Sequence, residues 1–296
     1  MLVHLNAVER FARRTVVIGA GGFVGHAIVE RLQAEGASVI GVLRQQVDLQ
    51  TTGAAGRLRA LLQPGDAVVA VAARAPCKNL SMLIDNMLIT KTMLDALADA
   101  APSHIVNISS DAVYPDEPLP LSEATPAAPS TFHGAMHLAR EIAFTEAVKA
   151  PLAILRPSLL YGATDPHNGY GPNRFRRLAN AGDNIVLFGE GEERRDHVAI
   201  DDVSELTMRV LKHRSRGILN VATGQVHSFR DIAERAVALA GRAVTISGSP
   251  RQGAMPHNGY RPFATDAIRD AFPDFRYIAL ADGMAKAQQA NGKTAS

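Results

Sequence analysis

Three glycines at intervals of three residues, Gly19, Gly22 and Gly25, occur where a chain can bind phosphate. They lie between a short apolar run, Thr15–Ile18, and a helical pattern, Gly25–Ala34. Glycine accepts a positive φ in a tight turn, and its lack of a Cβ lets phosphate approach the N–H groups at a helix start. The turn therefore predicts a dinucleotide site. The residues expected to contact the cofactor there are Gly19, Gly22, Phe23, Val24 and Gly25.

The end of the next predicted strand, Ser38–Leu43, indicates which dinucleotide is bound. A carboxylate at that position accepts a hydrogen bond from the ribose 2′-OH of NAD, whereas an arginine attracts the 2′-phosphate of NADP. Arg44 follows this strand and no acidic residue ends it, so the sequence favours NADP over NAD. Asp48 and Leu49 follow shortly after and are expected near the adenine.

Two histidines four residues apart, His133 and His137, lie in a predicted helix, Phe132–Val148. Residues at this spacing share one helix face. Such a pair can ligate zinc, but zinc needs a third protein ligand, and His257 or Glu141 would have to supply it. No third ligand stands at motif spacing, so we predict no metal. Proton transfer is the other chemistry open to histidine, because its unperturbed pKa of about 6.5 lies near neutral pH.

Alternating strand and helix patterns must position these residues. The strand runs are Thr15–Ile18, Ser38–Leu43, Ala67–Ala72, His104–Ile108 and Leu152–Leu155, and the helical patterns between them include Gly25–Ala34, Leu83–Ala100 and Phe132–Val148. This alternation predicts an α/β fold with a Rossmann-type, doubly wound parallel sheet. We expect residues 1–165 to form the dinucleotide-binding core. We expect residues 166–296 to form mainly a smaller C-terminal substrate-binding lobe, with segments near 195–225 returning to the core.

The composition excludes several classes of protein. The chain has 296 residues, of which 47% are hydrophobic and 20% charged, as in ordinary globular proteins. Its net charge is +2 and no basic tract stands out, so neither nucleic acid nor a membrane is expected as a partner. Cys77 is the only cysteine, which excludes a disulfide within the chain. No apolar run has the roughly 18 residues of a membrane span, and Met1–Arg14 lacks an apolar signal core. We therefore expect a cytoplasmic protein.

Six motifs in order resemble those of extended short-chain dehydrogenase/reductases, in the group of nucleotide-sugar epimerases and dehydratases. They are the glycine turn, Val68–Ala73, Ile108–Tyr114, Arg156–Gly162, Arg195–Val203 and Asn220–Gly224. The resemblance runs from about Thr15 to about Asp282. It implies an NAD(P) cofactor and a nucleotide-linked sugar as substrate. It also implies that Ala72, Ala73 and Pro157 lie near the cofactor and that Asn86 falls at the start of the helix after the second motif.

The catalytic motif of this family is changed in the chain. Family members carry Tyr-x-x-x-Lys at the head of the helix after the serine strand, where this chain has His133 and His137. The resemblance implies that His133 exchanges the proton of the substrate hydroxyl while hydride moves, and that His137 holds the nicotinamide ribose. A histidine needs no neighbouring cation to lower its pKa, so joint loss of tyrosine and lysine is chemically coherent. Ser110 would hydrogen-bond the same substrate oxygen, and Asp111 is an additional candidate acid.

The substrate phosphates are expected to meet arginine, whose planar guanidinium matches phosphate oxygens. The resemblance assigns this role to Arg195. Arg174, after the loop at 165–173, and Arg261, in Tyr260-Arg261-Pro262, are secondary candidates from their positions in the sequence. The family commonly dimerises through a two-helix face, which here would be built from Leu83–Ala100 and Phe132–Val148, so we expect a homodimer.

Two functions of different kinds remain open. The first is an NAD(P)-dependent epimerase, dehydratase or reductase that acts on a nucleotide-linked sugar, with His133 as a substitute acid/base. The alternative is a catalytically silent protein that binds NADP or a sugar nucleotide as a sensor, subunit or scaffold, because a fold alone does not imply activity.

Overall fold

The computed structural model describes residues 2–116 and 119–292. The strands in chain order are β1 (Thr15–Ile18), β2 (Val39–Val42), β3 (Ala67–Ala70), β4 (His104–Ile108), β5 (Leu152–Pro157), β6 (Leu159–Tyr161), β7 (Ile185–Phe188), β8 (Arg194–Ala199), β9 (Gly217–Val221), β10 (Val226–Ser228), β11 (Ile246–Ser249) and β12 (Tyr260–Arg261). The α-helices are α1 (Phe23–Ala34), α2 (Ala54–Leu61), α3 (Leu80–Ala98), α4 (Phe132–Ala147), α5 (Pro172–Ala181), α6 (Ile200–Lys212), α7 (Phe229–Ala240), α8 (Asp266–Ala271) and α9 (Leu280–Gly292). Two short 3₁₀ helices span Asp111–Val113 and Pro256–Gly259.

Six strands form one parallel sheet in the order β2-β1-β3-β4-β5-β9. The strands β1, β3 and β4 are buried along their whole length. Complete burial is typical of parallel strands that helices cover on both faces, and it explains their continuous apolar runs. The predicted α/β fold with a Rossmann-type parallel sheet is confirmed.

Alternate residues of each strand supply two layers of core, since side chains in a strand point to opposite faces. Val17, Val69 and Val106 belong to the layer that also contains buried residues of α1 and α6. Val16, Val68 and their neighbours belong to the opposite layer, with buried residues of α2, α3 and α4. This packing fixes the carboxyl ends of the strands, where the loops of the candidate site begin.

The later part of the chain adds smaller sheets and also returns to the main one. The strand β8 pairs with β10, β12 and β6, and β7 pairs with β11. Tyr161, Phe175 and Phe229 form part of a separate apolar cluster beside these strands. The strand β9 completes the main sheet next to β5, and α6 packs in the same core layer as α1.

The predicted bounds of β1 and β4 agree with the structure. Those of β2, β5, α1 and α4 differ from it by one or two residues, and the predictions for β3, α3 and Asn86 need correction. The strand β3 ends at Ala70 rather than Ala72, because the N–H groups of Val71 and Ala72 both donate to the carbonyl of Ile18. The helix α3 begins at Leu80, since the side chain of Asn79 caps it by accepting from the N–H of Met82 at 3.0 Å. The expectation that Asn86 falls at the start of this helix is therefore wrong. Asn86 lies in the second turn, and its side chain accepts from the N–H of Arg74 at 2.8 Å.

Across the described ranges, none of the helices combines the length and the apolar character that crossing a membrane requires.

Candidate active site

A cleft of about 900 Å³ lies at the carboxyl edge of the parallel sheet. Most of the predicted site residues are on its wall, namely Gly19, Gly22, Phe23, Val24, Arg44, Asp48, Leu49, Ala72, Ala73, Ser110, Asp111, His133, His137, Pro157 and Arg195. Gly25, Arg174 and Arg261 are not on it. Five of the six predicted motifs, all but Asn220–Gly224, thus contribute residues to one cavity large enough for a dinucleotide and a second ligand.

The glycine turn is shaped by three separate requirements. Gly19 has a φ of +97°, and a Cβ there would lie 2.7 Å from the backbone nitrogen of Ala72. A Cβ on Gly25 would overlap the carbonyl oxygen of Gly19, so this residue lets α1 pack closely. Gly22 caps α1 and lines the cleft. A Cβ on Gly22 would lie 3.5 Å from its nearest neighbour, the carbonyl oxygen of Gly19. The space at Gly22, beside a helix start without acidic residues, fits the pyrophosphate of a dinucleotide.

The predicted adenine end of the cleft carries one basic and one acidic side chain. Arg44 is largely exposed, and its Nε and Nη2 donate to Oδ2 of Asp48 at 3.2 and 3.1 Å. The N–H of Gln50 and the guanidinium of Arg44 lower the pKa of Asp48. The carboxylate thus stays charged beside Arg44, which the sequence did not reveal.

The position of His133 follows from the start of α4. Thr131 caps this helix by accepting from the N–H of Gly134 at 3.1 Å, which sets His133 in the first turn. A Cβ on Gly134 would overlap the carbonyl oxygen of Ala112, so the helix lies against the 3₁₀ helix that follows Ser110. Ser110 and His133 therefore line the same part of the cleft.

His133 is partly buried, and burial lowers the pKa of its imidazole. Its Nδ1 accepts from the backbone N–H of Cys77 at 3.4 Å. In the neutral ring this leaves the proton on Nε2, so His133 offers a hydrogen-bond donor.

His137 lies one turn further along α4, with its ring centroid 4.7 Å from that of His133 in an edge-to-face arrangement. It is buried, and within the described part of the chain its Nδ1 has no hydrogen-bond partner. Burial, followed by the charges of His133 and Arg140, lowers the pKa of His137 well below its usual value. His137 is therefore neutral at pH 7.

A buried ion pair supports the floor of the site. Glu141 of α4 accepts from Nε and Nη2 of Arg156 on β5 at 2.9 and 2.6 Å. Ser109 also donates to Glu141, at 2.5 Å, and the Tyr114 hydroxyl accepts from Nη1 of Arg156 at 2.8 Å. Paired and hydrogen-bonded in this way, the two charges lock α4 to β4 and β5 next to the catalytic candidates.

Asp111 and the predicted substrate arginines form a second charged group. Arg261 is buried, and it donates through Nε to Oδ2 of Asp111 at 3.0 Å and through Nη2 to the Asp111 carbonyl at 2.7 Å. Its donors are thus occupied by protein, and we no longer assign it a substrate phosphate. Arg195 lines the cleft, with Nη2 3.8 Å from Asp111. Arg174 is exposed on α5, away from the cleft wall.

Within the part of the chain that the structure describes, the zinc alternative lacks a third ligand. In residues 2–116 and 119–292, no group of three or more His, Cys, Asp or Glu side chains could hold a metal ion. Glu141 is paired with Arg156, and His257 hydrogen-bonds Asp116 and Arg261.

Three residues in or next to the cleft had no site role predicted from the sequence. Arg74 lines it, the backbone N–H of Cys77 donates to His133, and Arg140 donates to the carbonyl of Ala72. His257, which the sequence offered only as a zinc ligand, also lines the cleft. Arg140 had a usable signal, because a charged residue on the buried face of a predicted helix needs partners.

Comparison with known proteins finds one matching family model and several solved structures of the same fold. A family model described as "NAD dependent epimerase/dehydratase family" matches residues 15–222. The UDP-glucose 4-epimerase of Thermus thermophilus in complex with NAD is 23% identical, with a TM-score of 0.79, and the match covers 93% of this chain and 98% of that one. A GDP-L-fucose synthetase from Naegleria fowleri is 16% identical, with a TM-score of 0.83 and 98% of both chains covered. MoeE5 in complex with UDP-glucose and NAD is 21% identical, with a TM-score of 0.80, and the match covers 96% of this chain and 100% of that one.

Proposed function

Because this chain belongs to the NAD dependent epimerase/dehydratase family, we propose that it transfers hydride between a nicotinamide dinucleotide and a sugar carried on a nucleoside diphosphate. The predicted family resemblance is confirmed by this membership. The observation that carries the proposal is the single cleft that joins the open glycine turn to Ser110, His133 and Arg195. It brings a phosphate-binding turn, a proton-exchanging side chain and an anion-binding side chain into one cavity.

A nucleotide sugar suits the far end of this cleft. Arg195 is the predicted phosphate ligand that remains on the wall once Arg174 and Arg261 are set aside. Its guanidinium lies beside the carboxylates of Asp111 and Glu193, at 3.8 and 3.5 Å. These long separations leave donors for a diphosphate. Three similar structures support the substrate class, since their descriptions name a UDP-glucose 4-epimerase, a GDP-L-fucose synthetase and a complex with UDP-glucose.

The residues around the proposed nicotinamide site have separate roles in binding the substrate, transferring the proton and holding the cofactor. The dinucleotide supplies hydride chemistry at its nicotinamide ring when it is bound. Ser110 and His133 hydrogen-bond the reacting oxygen of the sugar, and His133 exchanges a proton with that oxygen. His137 holds the nicotinamide ribose. Asp111 is tied to Arg261, so we assign it the positioning of Arg195 rather than the role of a free acid.

We keep NADP as the preferred dinucleotide on the strength of Arg44. An exposed ion pair such as Arg44–Asp48 contributes only about 0–1 kcal/mol, so a 2′-phosphate can displace the carboxylate from the guanidinium. Asp48 limits this preference because its own charge repels phosphate. Two of the similar structures contain NAD.

A homodimer is also part of the proposal. On α3, the side chains of Leu80, Ile84 and Leu88 recur every four residues and are all exposed, and Ile142 is exposed on the adjacent α4. Exposed apolar side chains in such a stripe are typical of protein–protein contacts. A second copy of the chain would bury them.

The experiment that tests the proposed function measures hydride transfer directly. The purified protein is incubated with NADP(H) or NAD(H) and a panel of UDP- and GDP-sugars, in both 4-hydroxy and 4-keto forms. Dinucleotide absorbance and product stereochemistry are followed. Turnover of at least one nucleotide sugar is expected. Tight binding of dinucleotide and sugar nucleotide without turnover would favour the silent binding protein instead.

A further inference from the structure

The side chain of Arg140 is the most deeply buried charge next to the cleft, with 1% of its surface exposed. All its hydrogen bonds go to neutral oxygens. Nε donates to Oδ1 of Asn107 at 2.6 Å, Nη1 to the carbonyl of Ala72 at 2.6 Å, and Nη2 to the carbonyl of Ala70 at 2.7 Å. The guanidinium also lies over the ring of Phe144, 5.5 Å from its centroid.

This charge has no anionic partner within the described ranges. Among residues 2–116 and 119–292, no carboxylate forms an ion pair with Arg140, and the adjacent Glu141 is paired with Arg156. Burial lowers the pKa of Arg140 to about 10, so it remains a cation at neutral pH. Burying a charge without a counterion is costly, and buried charges are normally paired.

Asn107, which accepts a hydrogen bond from Arg140, occupies a position where a carboxylate could have paired with the guanidinium. Within the described part of the chain, Nδ2 of Asn107 is buried without a hydrogen-bond partner. An aspartate at this position would keep the acceptor for Nε, remove the unsatisfied donor and neutralise the guanidinium. With asparagine at this position the fold is less stable than it would be with aspartate, and the positive charge of Arg140 stays uncompensated.

The charge lies next to the cleft, one helical turn from the residue assigned to the nicotinamide ribose. Arg140 binds the carbonyl of Ala72, which lines the cleft, and it lies one helical turn after His137. The family places a lysine at position 137, and the neutral His137 has lost that charge. Arg140 restores one positive charge to the same region from beneath the floor.

We propose that the fixed positive charge of Arg140 makes the protein bind the reduced dinucleotide more tightly than the oxidised one. The nicotinamide ring is uncharged in the reduced form and is a cation in the oxidised form. The inference rests on the proposed function, since it requires a nicotinamide dinucleotide in this cleft. A buried cation repels the oxidised ring and leaves the reduced ring nearly unaffected. At an effective dielectric constant of about 20, the expected preference is on the order of tenfold in Kd.

A second observation points in the same direction. The N–H of Cys77 occupies Nδ1 of His133, so the neutral ring offers N–H at Nε2. Such a donor suits a carbonyl oxygen, whereas a substrate hydroxyl needs an acceptor. The substrate class is therefore a keto sugar on a nucleoside diphosphate. Reduction would need hydride, which a bound reduced dinucleotide would supply to the carbonyl carbon, and one proton, which a His133 ring protonated from solvent would give to the oxygen before returning to its neutral form. The products are the alcohol and the oxidised dinucleotide.

Asn107→Asp tests the charge without removing Arg140. The Kd values of the oxidised and reduced dinucleotide are measured for wild type and variant by fluorescence titration of the full-length protein, with no sugar present. The oxidised form is titrated as a competitor that displaces the fluorescent reduced form, since the chain has no tryptophan. Wild type is expected to bind the reduced form about tenfold more tightly, and Asn107→Asp should remove most of that preference by strengthening binding of the oxidised form. Arg140→Lys should keep the preference and Arg140→Met should lose it.

Equal Kd values for the two forms in wild type would overturn the inference, as would an unchanged preference in a folded Asn107→Asp. Either result would leave the proposed function standing, because dinucleotide would still bind. Failure of wild type to bind either form would instead contradict the proposed function itself.

Discussion

Gly134 of α4 lies directly against the carbonyl oxygen of Ala112, so closely that a Cβ on Gly134 would overlap it. This contact joins the first turn of α4 to the 3₁₀ helix after β4, and it sets how near His133 comes to Ser110. The position of His133 in the cleft therefore depends on how closely Gly134, the next residue, packs against Ala112.

Replacing Gly134 with alanine should separate these two elements. The added methyl group meets backbone rather than a flexible side chain, so α4 must shift, and overpacking of this kind costs about 1–3 kcal/mol. We expect Gly134→Ala to lose turnover more than tenfold, because a misplaced acid/base loses much of its effect. Gly56→Ala in α2 is the matched control. A Cβ there meets nothing within 4 Å, so it should be neutral or stabilising. Equal behaviour of the two variants in urea unfolding and in turnover would contradict this interpretation.

His133→Ala should separate chemistry from cofactor binding. Loss of a general acid/base lowers kcat by about 10²–10⁴-fold. The glycine turn and the rest of the cleft remain, so the Kd of the dinucleotide should change less than about twofold. His26→Ala removes an exposed histidine paired with Glu30 on α1 and should leave kcat unchanged. Full activity in His133→Ala would end the assignment of this residue.

The apolar stripe on α3 should hold two copies of the chain together. Ile84→Arg places a charge in the centre of the stripe and should shift the protein from dimer to monomer in sedimentation velocity, because a buried unpaired charge is costly. Val8→Arg changes an apolar side chain that is even more exposed but lies on the N-terminal segment, and it should leave the assembly unchanged. A wild type that sediments as a monomer at micromolar concentration would contradict the proposed dimer.

The choice of dinucleotide should respond in opposite ways to two neighbouring variants. Arg44→Ala removes the cation expected to meet the 2′-phosphate and should weaken NADP binding by about tenfold or more, as loss of a charge-assisted hydrogen bond does. Asp48→Asn removes the competing negative charge and should strengthen NADP binding several-fold. Binding of NAD should change little in Arg44→Ala. If wild type binds NAD as tightly as NADP, Arg44 has no such role.

The sequence predicted those elements whose residues follow a local pattern, such as a hydrophobic period or a set glycine spacing. The buried run of β1, the helix α4 and the glycine turn follow from periodicity and from the backbone needs of glycine, which are local properties. Pairings between distant residues could not be predicted in this way. From the sequence, Arg261 was a candidate phosphate ligand. In the structure it is hydrogen-bonded to Asp111, which lies 150 residues earlier in the chain. Arg44 likewise gave no sign that Asp48, four residues later, would face it.

Acid stability gives a test of the packing that does not depend on catalysis. His104 is buried at the start of β4, and its Nε2 contacts the carbonyl oxygen of Ser215 at 2.6 Å. Burial lowers the pKa of His104 to about 4 in the folded protein. Because this value lies below the unfolded value of about 6.5, the histidine binds its proton more readily when the chain unfolds. Its contribution to stability is complete above pH 6.5 and is lost as the pH falls towards 4.

His104→Gln should remove this pH dependence, since glutamine can donate to the same carbonyl and does not titrate. Between pH 7.5 and pH 5, the free energy of unfolding of wild type should fall by about 2 kcal/mol more than that of His104→Gln, at about 1.4 kcal/mol per unit of pKa difference. Urea titrations at the two pH values measure the difference, and carboxylates common to both proteins cancel. Parallel losses in the two proteins would mean that His104 titrates alike in the folded and unfolded chain, and its burial against Ser215 would then have no effect on acid stability.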